Sequence, residues 1–217
     1  MVYRTALLAG CVGVAGLFAV PAAAQSTDPK WFVRGGVTQL TLADEISLKV
    51  GGVPVDDPGM STKPHYTPTI QIGRVIGENF AIAFTGGLPP HIKIMGSKSL
   101  APFGTLAETT YGPATLTGQY RPLRQGTFQP YVGAGAAYMI VFSTKDGAFQ
   151  DVEIDNDLAP ALEAGADFML TDRFGVFVDA KKAFLRTEAR GTFGGNPVVG
   201  QVRLDPWALS AGATFRF

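Results

Sequence analysis

The chain has 217 residues, with 18 basic and 18 acidic side chains and a formal charge of zero. It is 46% hydrophobic but only 17% charged, against roughly 25% charged in an average soluble domain. That balance implies no phosphate-binding surface and no nucleic-acid partner, and the aromatic content excludes a disordered chain. Gly at 27 and Pro at 15 interrupt the chain too often for a helical bundle, and a single Cys cannot close an intrachain disulfide.

The first residues read as an address. Arg4, the apolar run Ala6–Val20, Pro21 and Ala22-Ala23-Ala24 form the three-part pattern of a secretory signal, with cleavage expected after Ala24. The run is shorter than the ~20 residues a helix needs to cross the hydrocarbon core. Leu8-Ala9-Gly10-Cys11 has the look of a lipoprotein box, but the apolar run continues past Cys11, so no lipid is expected there. The expected division is a signal at 1–24 and one domain over 25–217, free of Cys and suited to an oxidising compartment.

After residue 24 the hydropathy alternates with period two, the signature of strands. Eight segments are predicted, at 30–42, 66–76, 79–90, 111–121, 128–142, 158–170, 174–188 and 205–217. The last shows it best. Trp207, Leu209, Ala211, Ala213, Phe215 and Phe217 form an apolar face, and Ala208, Ser210, Gly212, Thr214 and Arg216 form the other. Three connections are short: Gly77-Glu78-Asn79, Pro122–Thr127 and Thr171-Asp172-Arg173. Four are long: 43–65, 91–110, 143–157 and 189–204. Short and long alternate strictly, as they must in an up-and-down barrel with turns at one end and loops at the other. The predicted fold is therefore all-β, an eight-stranded antiparallel transmembrane β-barrel with short periplasmic turns and long extracellular loops.

The polar face carries Arg34, Gln71, Thr115, Thr117, Gln119, Glu163, Asp167, Asp179, Lys181, Ser210 and Arg216, mixed with Gly73, Gly165 and Gly212. Polar residues of both signs beside small ones suit a narrow, hydrogen-bonded lumen better than a soluble surface. Trp31, Trp207, Tyr66, Tyr111, Tyr120, Phe80, Phe174, Phe215 and Phe217 fall near strand ends, where aromatic girdles meet the two lipid–water interfaces. Lys182 resists the pattern. It falls on the apolar face between Ala180 and Phe184, which implies a bulge, a snorkelling amine or a break in the lipid face.

Several segments resemble the OmpW family of outer-membrane proteins. Trp31-Phe32-Val33-Arg34-Gly35-Gly36 resembles the family's first strand, and Gly112-Pro113-Ala114-Thr115-Leu116-Thr117-Gly118-Gln119-Tyr120 resembles its PPTLTxQY strand. Pro130-Tyr131-Val132-Gly133-Ala134-Gly135-Ala136-Ala137-Tyr138 resembles its PYVGAGxxY strand, and Leu88-Pro89-Pro90-His91 and Asp205–Phe217 match in the same order. The first long loop, 43–65, matches least. The resemblance implies an outer-membrane location and a narrow, largely hydrophobic channel for small hydrophobic molecules, with release sideways into the bilayer. Its partners would be outer-membrane lipid, those solutes, and the barrel-assembly machinery that reads a terminal aromatic, here Phe217 preceded by Phe215.

Such release has physical sense here. A lumen charged by Arg34, Gln119, Glu163, Asp167, Asp179 and Lys181 would oppose straight passage of an apolar solute. Proline donates no ladder bond, so Pro89, Pro90 and Pro113, with Leu88, are candidates for a discontinuity in the wall; the alternative is that they mark strand ends. Val53, Val55, Met95, Leu100, Phe103 and Phe149 could line an outer funnel or pack the loops together. No catalytic or metal site and no cofactor is expected. His65 and His91 lack a patterned carboxylate partner, and His91 with Ser97 or Ser99 is the one conceivable catalytic set. Three classes stay open: a passive channel, a plugged structural or adhesive barrel, and a soluble ligand carrier.

Overall fold

The computed structural model describes residues 30–43 and 45–217. The expected signal segment 1–24, with Cys11 and the cleavage position, lies outside the described residues. The strands, in chain order, are β1 (Trp31–Thr41), β2 (Glu45–Val50), β3 (Val53–Pro54), β4 (Pro58–Ser61), β5 (His65–Ile76), β6 (Phe80–Gly87), β7 (His91–Lys98) and β8 (Thr105–Tyr120). They continue with β9 (Phe128–Asp146), β10 (Gln150–Ile154), β11 (Asp157–Met169), β12 (Phe174–Ala183), β13 (Arg186–Phe193), β14 (Asn196–Arg203) and β15 (Trp207–Arg216).

Eight of these close the expected barrel. Antiparallel pairing runs β1–β5–β6–β8–β9–β11–β12–β15, and β15 returns to β1 from Phe32↔Arg216 to Thr41↔Trp207. At the seam between the chain ends, Trp31 and Phe217 exchange backbone hydrogen bonds of 2.9 Å. Closure leaves no ladder edge in the lower wall, which a strand wall in lipid requires because no water is there to satisfy it.

Burial settles which face meets lipid. Leu116 and Leu162 expose 55% and 52% of their surface, whereas their neighbours Thr117 and Glu163 expose 1% and 3%. The greasy face is outside and the polar face inside, the reverse of a soluble barrel. That arrangement removes the soluble-carrier reading. Trp31, Phe80, Tyr120, Phe174, Phe215 and Phe217 are exposed at the short-turn end, and Tyr66 and Trp207 at the other. Tyr111 is a correction. It is 6% exposed and points inward, because it shares the parity of Thr115, Thr117 and Gln119 on β8.

The long connections hold more order than eight segments imply. β2, β3, β10, β13 and β14 form a second sheet in the order β10-β13-β14-β2-β3, and β4 and β7 extend the barrel sheet beyond β8. Residues of β13 and β14 were expected as one connection, 189–204, following a strand to 188. Instead β12 stops at Ala183, and Gly194-Gly195, with φ of 57° and 79°, turn β13 back onto β14. Two positive φ values in succession suit glycine. Likewise the segment expected at 79–90 stops at Gly87, and β8 and β9 rise past their expected limits to Thr105 and Asp146. Leu48, Leu100, Leu106, Phe149, Val152 and Val198 pack together beneath the second sheet.

Candidate functional site

The lower lumen is filled by charge. Asp167 of β11 is fully buried; Arg34 of β1 meets its two oxygens at 2.9 Å each, and Arg121 and Arg216 reach Oδ2 at 2.5 and 2.8 Å. Two same-face steps along β11, past Gly165, Glu163 accepts from Gln71 at 2.8 Å, Thr117 at 2.5 Å and Gln119 at 3.1 Å, and pairs with Lys181 at 3.0 Å. Tyr131 donates to Asp179 Oδ2 at 2.9 Å, and Lys181 donates to the other oxygen. The Arg34 and Arg121 guanidinium groups lie 4.2 and 5.0 Å from the Tyr131 ring centre. Gly165 makes room for that ring, since a Cβ there would lie within 2.5 Å of the Val178 carbonyl oxygen and against the Tyr131 hydroxyl.

All six polar residues singled out in the sequence meet in this network. Arg121 and Tyr131 join them without having been foreseen. Arg121 stood at the end of its segment, and Tyr131 preceded two glycines of the same face; its parity with Gly133 and Gly135 was the available signal. Each buried acid has at least one cationic partner, which is the condition for keeping buried charge.

Above the charges the lumen turns apolar. An inner chamber is lined by Leu40, Thr67, Leu88, Pro113, Ala137, Ala183, Leu185 and Ser210, with Lys181 at its lower margin. An outer chamber is lined by Ile46, Leu48, Ile92, Ile94, Leu106, Val141, Phe149 and Val152. Leu42, Tyr111, Met139 and Leu204 belong to both, so the two chambers adjoin. Leu88 and Pro113 thus line the inner chamber. Of the funnel candidates, Phe149 lines the outer one, while Leu100 and Val55 pack in the cluster beneath the second sheet. Phe103 is no chamber residue. It is 42% exposed, and its ring meets Phe193 edge-on at 5.0 Å.

Beside the inner chamber the wall loses its ladder. β5 and β6 pair only as far as Thr69↔Gly87, and β6 leaves β8 at Thr85↔Thr115. β7 rejoins β8 at His91↔Thr110. Leu88-Pro89-Pro90 spans the break, and Pro113 stands on β8 opposite it. β7 pairs with β4 only from Met95 to Lys98, so His91–Ile94 carry no strand partner on the side away from β8. His65–Pro68 of β5 are likewise paired with β1 alone. Leu88 N–H donates to the Pro68 carbonyl at 3.2 Å, and the Leu88 carbonyl accepts from the Thr67 hydroxyl at 2.6 Å.

The remaining candidates lie apart. His91 Nε2 is 2.9 Å from Glu108 and Nδ1 is 3.1 Å from Thr110, and the Ser99 hydroxyl donates to the Asp57 carbonyl. Those contacts give His91 no serine partner. Phe215 and Phe217 stack at 6.1 Å on the outer surface. Lys182 is on the lipid face without a bulge; its amine donates to the Asp205 carbonyl and lies 5.2 Å from the Trp207 ring centre. This is a snorkelling lysine held at the girdle.

The sequence profile of the OmpW family matches residues 28–217. The chain belongs to the OmpW family. It is 30% identical to outer membrane protein AlkL of Ectopseudomonas oleovorans over 86% of this chain and 82% of the relative. It is 28% identical to the dibenzothiophene metabolism operon protein PahQ of Pseudomonas aeruginosa over 89% of this chain and 92% of that one. The crystal structure of outer membrane protein OprG from Pseudomonas aeruginosa superposes with a TM-score of 0.80 at 22% identity, covering 87% and 96% of the two chains. The OmpW-family chain is thus an outer-membrane β-barrel protein.

Proposed function

We propose that this barrel is a passive pathway for small hydrophobic molecules, entered through the outer chamber and left sideways from the inner one. The observation that carries the reading is the position of the inner chamber. Below it lie Lys181, Glu163 and Asp179, paired and buried. An apolar solute moving straight down would have to part those charges. To the side lies Leu88, which lines the chamber and is also 66% exposed on the lipid face. Leu88, Pro89, Pro90 and Pro113 then mark the exit. The name of PahQ, which refers to dibenzothiophene metabolism, lends support, because dibenzothiophene is a small apolar aromatic.

The filled lower lumen also suits a plugged structural or adhesive barrel, and uptake separates the two readings. Cells expressing the chain are expected to take up N-phenyl-1-naphthylamine faster than cells with an empty vector, with sugar uptake unchanged. Equal uptake of every apolar probe would leave the plugged barrel. Export through a signal cleaved after Ala24 and recognition of Phe215 and Phe217 by the assembly machinery complete the proposal. Removing Phe217 is expected to lower the amount of folded barrel in the outer membrane.

A further inference from the structure

Tyr111 stands where the two chambers meet and where the wall lacks its ladder. Its ring belongs to the lining of both chambers. Its backbone N–H donates to the Pro90 carbonyl at 3.3 Å, within the unladdered stretch. Its side chain reaches from β8 behind that stretch to β5. There its hydroxyl lies 3.2 Å from His65 Nε2, with the two rings edge-on at 6.0 Å. His65 in turn is the first residue of the β5 edge that lacks a partner. One side-chain contact therefore joins β8 to the open edge of β5, on the lumen side, at the boundary between the chambers.

From this juxtaposition we infer that Tyr111 is the gate residue of the pathway and that its hydrogen bond to His65 is the latch. It rests on the transport reading above. With the bond made, the ring separates outer from inner chamber and ties β8 to β5 across the seam. With the bond broken, the ring is free to turn. One movement then joins the chambers and unties β8 from β5, leaving the bonds of Leu88 to Thr67 and Pro68 as what still holds β5 to the unladdered stretch. The ladder cannot perform this role, because a backbone bond in a strand opens only with its neighbours. A single neutral side-chain bond of modest strength opens singly.

The test is uptake of N-phenyl-1-naphthylamine by cells expressing the full chain, matched for folded barrel in the membrane by heat-modifiable gel migration. Tyr111→Phe keeps the ring and removes the hydroxyl. His65→Ala removes the acceptor from the other side and serves if the first variant folds poorly. Each is expected to raise the rate about fivefold, the population shift that loss of one such bond allows. The double variant is expected to match either single one, because the bond can be lost only once. A wild-type chain only slightly above vector level with a raised rate in Tyr111→Phe also supports the latch. Rates unchanged in both variants, or single effects that multiply in the double, overturn the latch and leave the transport reading standing. If the wild type and all variants stay at vector level, the transport reading falls and the gate with it.

Discussion

Asp167→Asn tests the charged lumen most directly. The substitution keeps the shape of the side chain and replaces one acceptor oxygen with a donor. In the native barrel the carboxylate takes two contacts from Arg34 at 2.9 Å and one each from Arg121 and Arg216 at 2.5 and 2.8 Å, with no exposure to solvent. Three guanidinium groups would lose their counter-charge, and at least one would face an amide donor. Breaking a buried ion pair from one side destabilises by about 3–5 kcal/mol. The contacts share one carboxylate, so they do not add, and that range applies to the whole site. Urea unfolding in lipid vesicles, followed through the fluorescence of Trp31 and Trp207, measures the effect. Asp57→Asn supplies the comparison. Its pair with Lys98 has a similar separation, 2.7 Å, but both side chains are more than half exposed. An exposed pair contributes about 0–1 kcal/mol. Equal shifts for the two variants, or a shift under about 1 kcal/mol for Asp167→Asn, would refute the claim that burial gives the lumen network its weight.

Two further substitutions probe packing in the same lumen. Thr115→Val is expected to raise stability by about 1 kcal/mol, because the Thr115 hydroxyl is buried without a protein partner and an unsatisfied buried hydroxyl costs about 1–3 kcal/mol; a lowered urea midpoint would show that the hydroxyl is satisfied. Gly165→Ala is expected to cost about 1–3 kcal/mol through overpacking, since the new Cβ would press on the Val178 carbonyl and the Tyr131 hydroxyl. The double variant with Tyr131→Ala, which removes both the hydroxyl and the ring carbon at 2.6 Å, tells the two contacts apart in a double-mutant cycle: if the backbone carbonyl dominates, the two costs add.

Parity made much of this architecture legible. A strand in a membrane barrel divides two solvents, so every second residue reports the same side. Glu163, Asp167, Asp179 and Lys181 could be assigned to the lumen on that basis alone. Tyr111 followed the same parity, yet its aromatic character suggested a girdle; the period was the better guide. The long connections were harder. β2 pairs with β14, about 150 residues away in sequence, from Glu45↔Arg203 to Val50↔Val198, and no local pattern announces such a partner. Phe103 looked like a channel residue because it is apolar and in a loop, properties that a packing contact with Phe193 requires equally. Lys182 needed the Asp205 carbonyl and the Trp207 ring to make sense, and these come from the connection before β15 and from β15 itself.

The vertical order of the lumen bears on the proposed exit. An eight-stranded barrel is narrow enough for side chains to fill, and here they fill it unevenly. Charge occupies the lower half, around Asp167 and Glu163; aliphatic side chains from Leu40 to Val152 surround the upper half. The lower network ties β1, β5, β8, β9, β11 and β12 to one another through side chains as well as ladders. The upper wall at β5–β7 is braced more sparsely, by Tyr111–His65 and Thr67–Leu88, and two prolines there also withhold ladder donors. Rigidity and charge therefore coincide below, and apolar space and a weak wall coincide above. For a solute that gains nothing from water or ions, leaving through Leu88 into lipid preserves its apolar surroundings throughout, whereas descending past Lys181 would exchange them for a paired charge network.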